Sequence, residues 1–136
     1  MTEVVATRAE RIVGESFAQL LGIELVSRET DRVVVRMPYR ESLGVGRIHG
    51  GAISALVDIA ATAAFWSHPD VGEASLGATV GFTINYLKLA VATDLLAEAT
   101  LVRRGGTILT GDVMVSNPQG DEIAVARVTY KMSRRP

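Results

Sequence analysis

Cysteine is absent from this chain, which excludes disulfide scaffolds, cysteine nucleophiles and thiolate metal sites together. Histidine is nearly absent: His49 and His68 are the two present, with no H-x-x-x-H pair, so no metal centre is expected. Neither sign of charge dominates. With 14 basic and 15 acidic residues the net charge is -1, which argues against general electrostatic capture of nucleic acid. The first ten residues carry Glu3, Arg8 and Glu10 and lack the continuous apolar core of a signal peptide. The longest apolar stretch, Gly51 to Trp66, is 16 residues long and contains Asp58, too short and too charged to span a bilayer. The expectation is a soluble cytoplasmic protein with no membrane partner, no nucleic-acid partner and no cofactor.

What is present is apolar and regular. Of 136 residues 48% are apolar and 21% charged, and the mean hydropathy is +0.25, so disorder is not the chain's main character. A domain of this length buries roughly two thirds of its unfolded surface and forms a core without disulfides or metal. The chain is read as a single domain over residues 1–136.

Thr7 has the position of a helix cap, with Glu10 three residues on as its capping-box partner. Ile12, Phe17, Leu20 and Leu21 then form an apolar helical stripe, and Gly22 ends it. Ile23–Ser27 and Arg32–Met37 have strand character; Val33, Val35 and Met37 alternate with Arg32, Val34 and Arg36. After a loop from Pro38 to Ile48, the Ala-rich segment from Gly51 to Phe65 and Trp66 is apolar on nearly every face, the mark of a buried helix.

The second half has strand periodicity throughout. In Thr79–Leu87 the residues Val80, Phe82, Ile84 and Tyr86 share one face, and Thr79, Gly81, Thr83 and Asn85 the other. Leu95, Ala97, Ala99 and Leu101 alternate before the turn Arg103-Arg104-Gly105-Gly106, and Ile108–Ser116 and Ile123–Lys131 follow. Connections too short for crossover helices imply a mostly antiparallel sheet. Beside one fully apolar helix, that gives an α+β fold in which a curved sheet wraps the helix. Sheet edges and a fairly apolar outer face favour a homo-oligomer.

Asp58 is the most informative residue. An unpaired carboxylate in so apolar a helix costs several kcal/mol, or its pKa rises. Ser54, Asp58 and Thr62 fall at i, i+4 and i+8, on one stripe that must face a wet cavity, a ligand or another subunit. Just ahead of the helix, His49-Gly50-Gly51 lets backbone approach a ligand closely, and the first helical amides have no intrahelical partner. Such amides at a positive helix end suit an oxyanion. Large apolar residues at Phe65, Trp66, Phe82 and Leu43 could line an apolar pocket, though as plain core they need no further explanation. Tyr39, Tyr86 and Tyr130 are read as packing residues and His68 as a surface residue.

The pattern H-G-G-x-x-x-x-L-x-D, present as His49, Gly50, Gly51, Leu56 and Asp58, resembles the hotdog-fold thioesterases of the phenylacetic acid degradation type. Phe17–Glu24 is similar to that family's opening helix and first strand, Thr83–Leu87 to the strand after its central helix, and Arg103-Arg104-Gly105 to the hairpin before its last two strands. The resemblance implies an acyl-CoA thioesterase. In it Asp58 matches the nucleophile or general base, and Gly50 the glycine whose N–H polarises the thioester carbonyl. His49 matches the histidine beside the pocket, and Thr79 falls where some members place a serine that orients water. Leu43 stands where Asn or Gln is common, a departure from the family. The resemblance also implies homodimers or homotetramers with the site between two chains, Asp58 of one facing His49 and Gly50 of another. Arg103, Arg104, Arg134, Arg135 and Lys88 are candidates for the CoA phosphates. A non-catalytic acyl-CoA binding or regulatory module is the alternative.

Overall fold

A computed structural model describes the backbone of residues 2–133 and the side chains from residue 8 to residue 133. Arg134 and Arg135, named above as phosphate candidates, lie outside the described residues. Two N-terminal helices, α1 (Thr2–Val13) and α2 (Ser16–Leu20), precede the antiparallel pair β1 (Glu24–Glu29) and β2 (Arg32–Met37). A single 3-10 turn (Glu41–Leu43) leads to the long helix α3 (Gly50–Phe65). Then come β3 (Gly77–Tyr86), β4 (Leu95–Arg104), β5 (Ile108–Ser116) and β6 (Glu122–Met132). The six strands form one antiparallel sheet in the order β1-β2-β4-β5-β6-β3, so β1 and β3 are its edges. This is the hotdog fold, a curved sheet wrapped around a central helix.

The core sits between α3 and the concave face of the sheet. Alanine-rich α3 suits that position because its small side chains let the sheet close around it. Ile53, Leu56, Val57, Ala60, Ala61, Ala63, Ala64 and Phe65 are all buried. On the strands Val33, Val35, Met37, Leu95, Ala97, Ala99, Val113, Val115 and Val128 complete the core by simple alternation. Outward-facing charges pair across neighbouring strands: Arg36 with Glu24, Arg32 with Glu98, Arg127 with Asp112. Being half-exposed, these pairs contribute little to stability individually. Among the described residues no helix is long and apolar enough to cross a membrane.

Two sequence expectations are corrected at the N-terminus. Helix α1 begins at Thr2, so Thr7 lies inside a helix rather than capping one. The stripe from Ile12 to Leu21 is not one face, because the chain breaks between α1 and α2 and the helical phase is reset. Ala18 is buried instead, leaving Phe17 57% and Leu20 71% exposed.

Irregularities in pairing matter more for the site than the regular ladder does. In β3, Thr79 pairs with Tyr130 and Gly81 with Thr129, leaving Val80 as an extra residue that points outward, 63% exposed. In β4, Leu101 pairs with Gly111 and Arg103 with Thr110, leaving Val102 as the extra residue. A bulge of this kind reverses which residues face inward beyond it. Thr79 and Arg104 are therefore both turned onto α3, against the alternation written in the sequence.

The consequence for Arg104 is structural. Its guanidinium donates to Asp31 Oδ1 at 2.8 Å and to the Phe65 carbonyl at 3.1 Å, and the side chain is only 9% exposed. It thereby ties the C-terminal end of α3, where carbonyls lack helical partners, to the β1–β2 turn. The Ser67 hydroxyl reinforces the tie by accepting the Asp31 N–H at 2.8 Å. Replacing Arg104 with Met keeps the stem and removes the charge. It is expected to cost about 2–3 kcal/mol in urea unfolding, the range for buried charge-assisted bonds. A loss below about 0.5 kcal/mol, the level of an ordinary surface substitution, would show that the tie contributes nothing.

Candidate active site

His49 is the N-cap of α3. Its φ of −61° and ψ of 137° are extended, and its Nδ1 accepts the Gly51 N–H at 2.8 Å. The His49 carbonyl accepts from Ala52 at 2.9 Å and Ile53 at 3.2 Å. Gly50, the first helical residue, is left with an N–H that has no partner among the described residues. The loop before it is tightly folded: the Leu43 carbonyl accepts the His49 N–H at 2.8 Å, and a Cβ at Gly44 would lie 1.9 Å from the Arg47 carbonyl oxygen. Only glycine fits there.

That helix start opens on a cavity of about 600 Å³ lined by Val45, Arg47, His49, Gly50, Tyr86, Lys88 and Leu89 among others. The floor is Tyr86, which the sequence had marked as mere packing. Its hydroxyl donates to the Gly50 carbonyl at 2.8 Å and lies 2.6 Å from Ser54 Oγ. The available signal was its alternation with Phe82 and Ile84, which puts it on the helix-facing side at the end of β3.

Asp58 lies on the stripe of α3 that the core does not cover; Ser54, Asp58 and Thr62 are all half-buried, as their spacing required. Its carboxylate is not unpaired. Thr79, turned inward by the β3 bulge, donates its hydroxyl to Asp58 Oδ1 at 2.7 Å. The expectation that Thr79 shares a face with Thr83 and Asn85 is thus corrected, and the same correction brings it to the carboxylate.

Beside Thr79, across the strand pair, the buried Tyr130 stacks on Phe65 with ring centroids 4.9 Å apart and accepts the Trp66 indole N–H at 2.8 Å. Burial pushes the Tyr130 phenol above the usual tyrosine range, the Trp66 bond partly opposes this, and the negative charges of Asp58 and Glu15 add to the rise. A raised folded value means that stability is fully present below pH about 10 and falls as pH climbs toward that value. Absorbance titration is expected to show a tyrosine ionising late, and Tyr130→Phe to remove that late phase. A late phase that survives in Tyr130→Phe, or none in the wild type, would contradict it.

Other expected site residues are placed elsewhere. Leu43 is 6% exposed and Phe65 fully buried, both in the core, and neither lines the cavity. Phe82 is half-buried against the core from β3. Arg104 is committed to Asp31 and Phe65, whereas Arg103 is exposed; neither lines the cavity. Lys88 does line it, with its ammonium 2.8 Å from Asp121.

One chain holds the two chemical elements apart. Asp58 follows Gly50 by eight residues, about 12 Å along the helix axis at 1.5 Å per residue. A carboxylate that attacks a carbonyl carbon directly must come within about 3–3.5 Å of it, so in one chain the Asp58 carboxylate and the Gly50 amide do not converge on a single small group.

Known proteins resemble this chain to different depths. A family profile described as the thioesterase superfamily matches residues 45–124, which contain His49, Gly50, Asp58, Thr79 and Tyr86. A Halobacterium salinarum protein provisionally named an esterase is 30% identical over 125 residues, covering 84% of this chain and 82% of its own. Among solved structures, a thioesterase family protein from Silicibacter pomeroyi superposes with a TM-score of 0.87 at 24% identity, covering 96% of this chain and 99% of its own. The E. coli PaaI protein, from the phenylacetic acid degradation operon, superposes with a TM-score of 0.84 at 22% identity, covering 99% and 96%. At those identities the two structures establish the shared fold.

Proposed function

Because the chain belongs to the thioesterase superfamily, we propose that it hydrolyses acyl- or aryl-CoA thioesters to the free acid and CoA, at a site built from two copies of the chain. The observation that carries this reading is the Asp58 carboxylate, held by Thr79 on the uncovered stripe of an otherwise buried helix. Such a group, in a family of thioester hydrolases, is placed to act on water or on the thioester carbonyl.

The chemistry asks for little more. As general base, Asp58 takes a proton from water while the hydroxyl adds to the carbonyl carbon; the C–S bond then breaks and the CoA thiolate leaves, taking up a proton. As nucleophile, Asp58 adds to the carbonyl carbon and the C–S bond breaks, expelling the CoA thiolate, which takes up a proton; water then opens the resulting mixed anhydride to the free acid and the Asp58 carboxylate. In either route a thiolate is a good leaving group, so a base or nucleophile and a donor for the oxyanion suffice. Gly50 supplies the donor, with its unpartnered N–H at the positive end of α3. Thr79 keeps the carboxylate oriented, and its oxygen retains the capacity to accept from the attacking water.

The geometry of one chain supports the second copy. The 12 Å rise from Gly50 to Asp58 is closed if two α3 helices lie antiparallel across a two-fold axis. Edge strand β3 lies beside Asp58 through Thr79, and its free edge, with Val80 exposed, offers the surface for such pairing. A cytoplasmic location suits a CoA-linked substrate.

Release of free thiol from a panel of aliphatic and aromatic acyl-CoAs and one acyl-carrier-protein thioester, followed with a thiol dye, tests the activity. Turnover of at least one CoA ester is expected. Tight acyl-CoA binding without thiol release would instead identify a binding module. Turnover of the carrier-protein ester alone would overturn the choice of CoA.

A further inference from the structure

Two successive glycines make a poor first turn of a helix, because each retains wide backbone freedom that the helix must remove. Here the freedom falls on the residue whose amide is to face the substrate. The structure supplies a restraint from outside the helix. Tyr86, at the end of β3, lays its ring against the Gly50 α-carbon so closely that a Cβ there would sit 3.3 Å from Tyr86 Cζ and 3.3 Å from its oxygen. Its single O–H goes to the Gly50 carbonyl at 2.8 Å, so Ser54 is the donor in the 2.6 Å bond between their hydroxyls.

The Gly50 carbonyl and the Gly51 N–H belong to one planar peptide unit. Its oxygen is held by Tyr86 and its N–H by His49 Nδ1 at 2.8 Å. Five residues thus form one directed series, Ser54 hydroxyl to Tyr86 hydroxyl to the Gly50–Gly51 peptide to the His49 ring. The series also sets the imidazole. With Nδ1 accepting, neutral His49 carries its proton on Nε2, which makes the other ring nitrogen a donor.

The Gly50 N–H belongs to the preceding peptide, whose His49 carbonyl is held by Ala52 and Ile53. We infer that Tyr86 is a positioning residue: by clamping the next peptide, Gly50–Gly51, from edge strand β3, it restrains the rotation about the shared Gly50 α-carbon that would otherwise let that N–H turn, and fixes the tautomer of His49 before substrate arrives. Tyr86 acts through Gly50, so the rate consequence rests on the thioesterase reading above. Pre-aimed donors contribute to catalysis because they need no reorganisation as charge develops on oxygen. A donor that wanders loses part of that contribution. The clamp also makes the helix start sensitive to the strand that carries the free sheet edge, since one side chain belongs to both.

Tyr86→Phe keeps the ring over Gly50 and deletes only the hydroxyl. In the wild type, ¹⁵N spectra are expected to show the Nε2–H tautomer of His49 and a slowly exchanging Gly51 amide. In Tyr86→Phe, Gly51 exchange is expected to rise at least tenfold and the His49 tautomers to mix. The kcat for thioester hydrolysis should fall about tenfold with KM within a factor of two, a fraction of the 10²–10³ carried by a whole oxyanion donor. Ser54→Ala, which spares the Tyr86–Gly50 bond, should show both effects more weakly. Unchanged Gly51 exchange and His49 tautomer in Tyr86→Phe overturns the clamp. Faster exchange with unchanged kcat, or a raised KM with unchanged kcat, overturns its role in aiming the amide. A wild type that releases no thiol overturns the thioesterase reading and the rate consequence with it, while the spectra still decide the clamp.

Discussion

Asp58→Asn is expected to lower kcat for thioester hydrolysis by about 10²–10⁴, the usual loss when a general base or nucleophile is removed. The fold should survive. Asn has the shape of Asp, its side-chain oxygen still accepts the Thr79 hydroxyl, and position 58 lies on the half-buried stripe rather than in the core. Its melting temperature should therefore stay near that of the wild type. An independent sign comes from Tyr130, whose ionisation the Asp58 charge helps to delay. Removing that charge should bring the late tyrosine titration down in pH, whether or not any substrate is known. A large loss of melting temperature with full activity per folded molecule would make Asp58 a structural carboxylate and end the catalytic assignment.

The second large effect is all-or-none in each mutant and recoverable in a mixture. Asp58→Ala lacks the carboxylate and Gly50→Pro lacks the N–H, so each alone is expected to be nearly inactive. Proline is compatible with the backbone at position 50. Gly50 is the first helical residue, where proline is favoured, and His49 before it has the extended ψ of 137° that proline demands. The ring must still fit against Tyr86, which a Cβ would approach to 3.3 Å. Unfolded together in equal amounts and refolded, half of the dimers should be hybrids, each with one intact site in two. Activity should return to about a quarter of the wild-type level by the symmetry of a two-fold pair. If both variants fold and co-assemble yet the mixture stays inactive, each site lies within one chain.

Much of this was legible in the order of residues. An apolar, Ala-rich segment of 16 residues interrupted by a single carboxylate could only be a buried helix with one uncovered stripe, and α3 is that helix. Strand character located all six strands, and alternation assigned faces in three of them, because a half-buried strand must repeat its apolar residues every second position. The H-G-G pattern ahead of the helix marked its start and its unpartnered amide, since the lack of intrahelical partners is a property of any helix N-terminus.

Alternation was also where the sequence stopped being sufficient. It is blind to a single inserted residue, and two bulges each reversed the face of one polar side chain. Thr79 was written as an outward residue, and the bulge at Val80 turned it onto Asp58. Arg104 was written as a turn residue free to meet phosphate, and the bulge at Val102 turned it under α3, onto Asp31 and the Phe65 carbonyl. Leu43 passed for a pocket residue by its distance from His49, but the fold of the loop gave its side chain to the core and its carbonyl to the His49 amide. Tyr86 was read as packing because a sequence records which face a side chain takes, not what its hydroxyl reaches 36 residues away. Periodicity and composition, which are local, determined the helix, the strands and the carboxylate; which polar groups meet depends on cross-strand register and loop path, and those are settled only when distant segments pack.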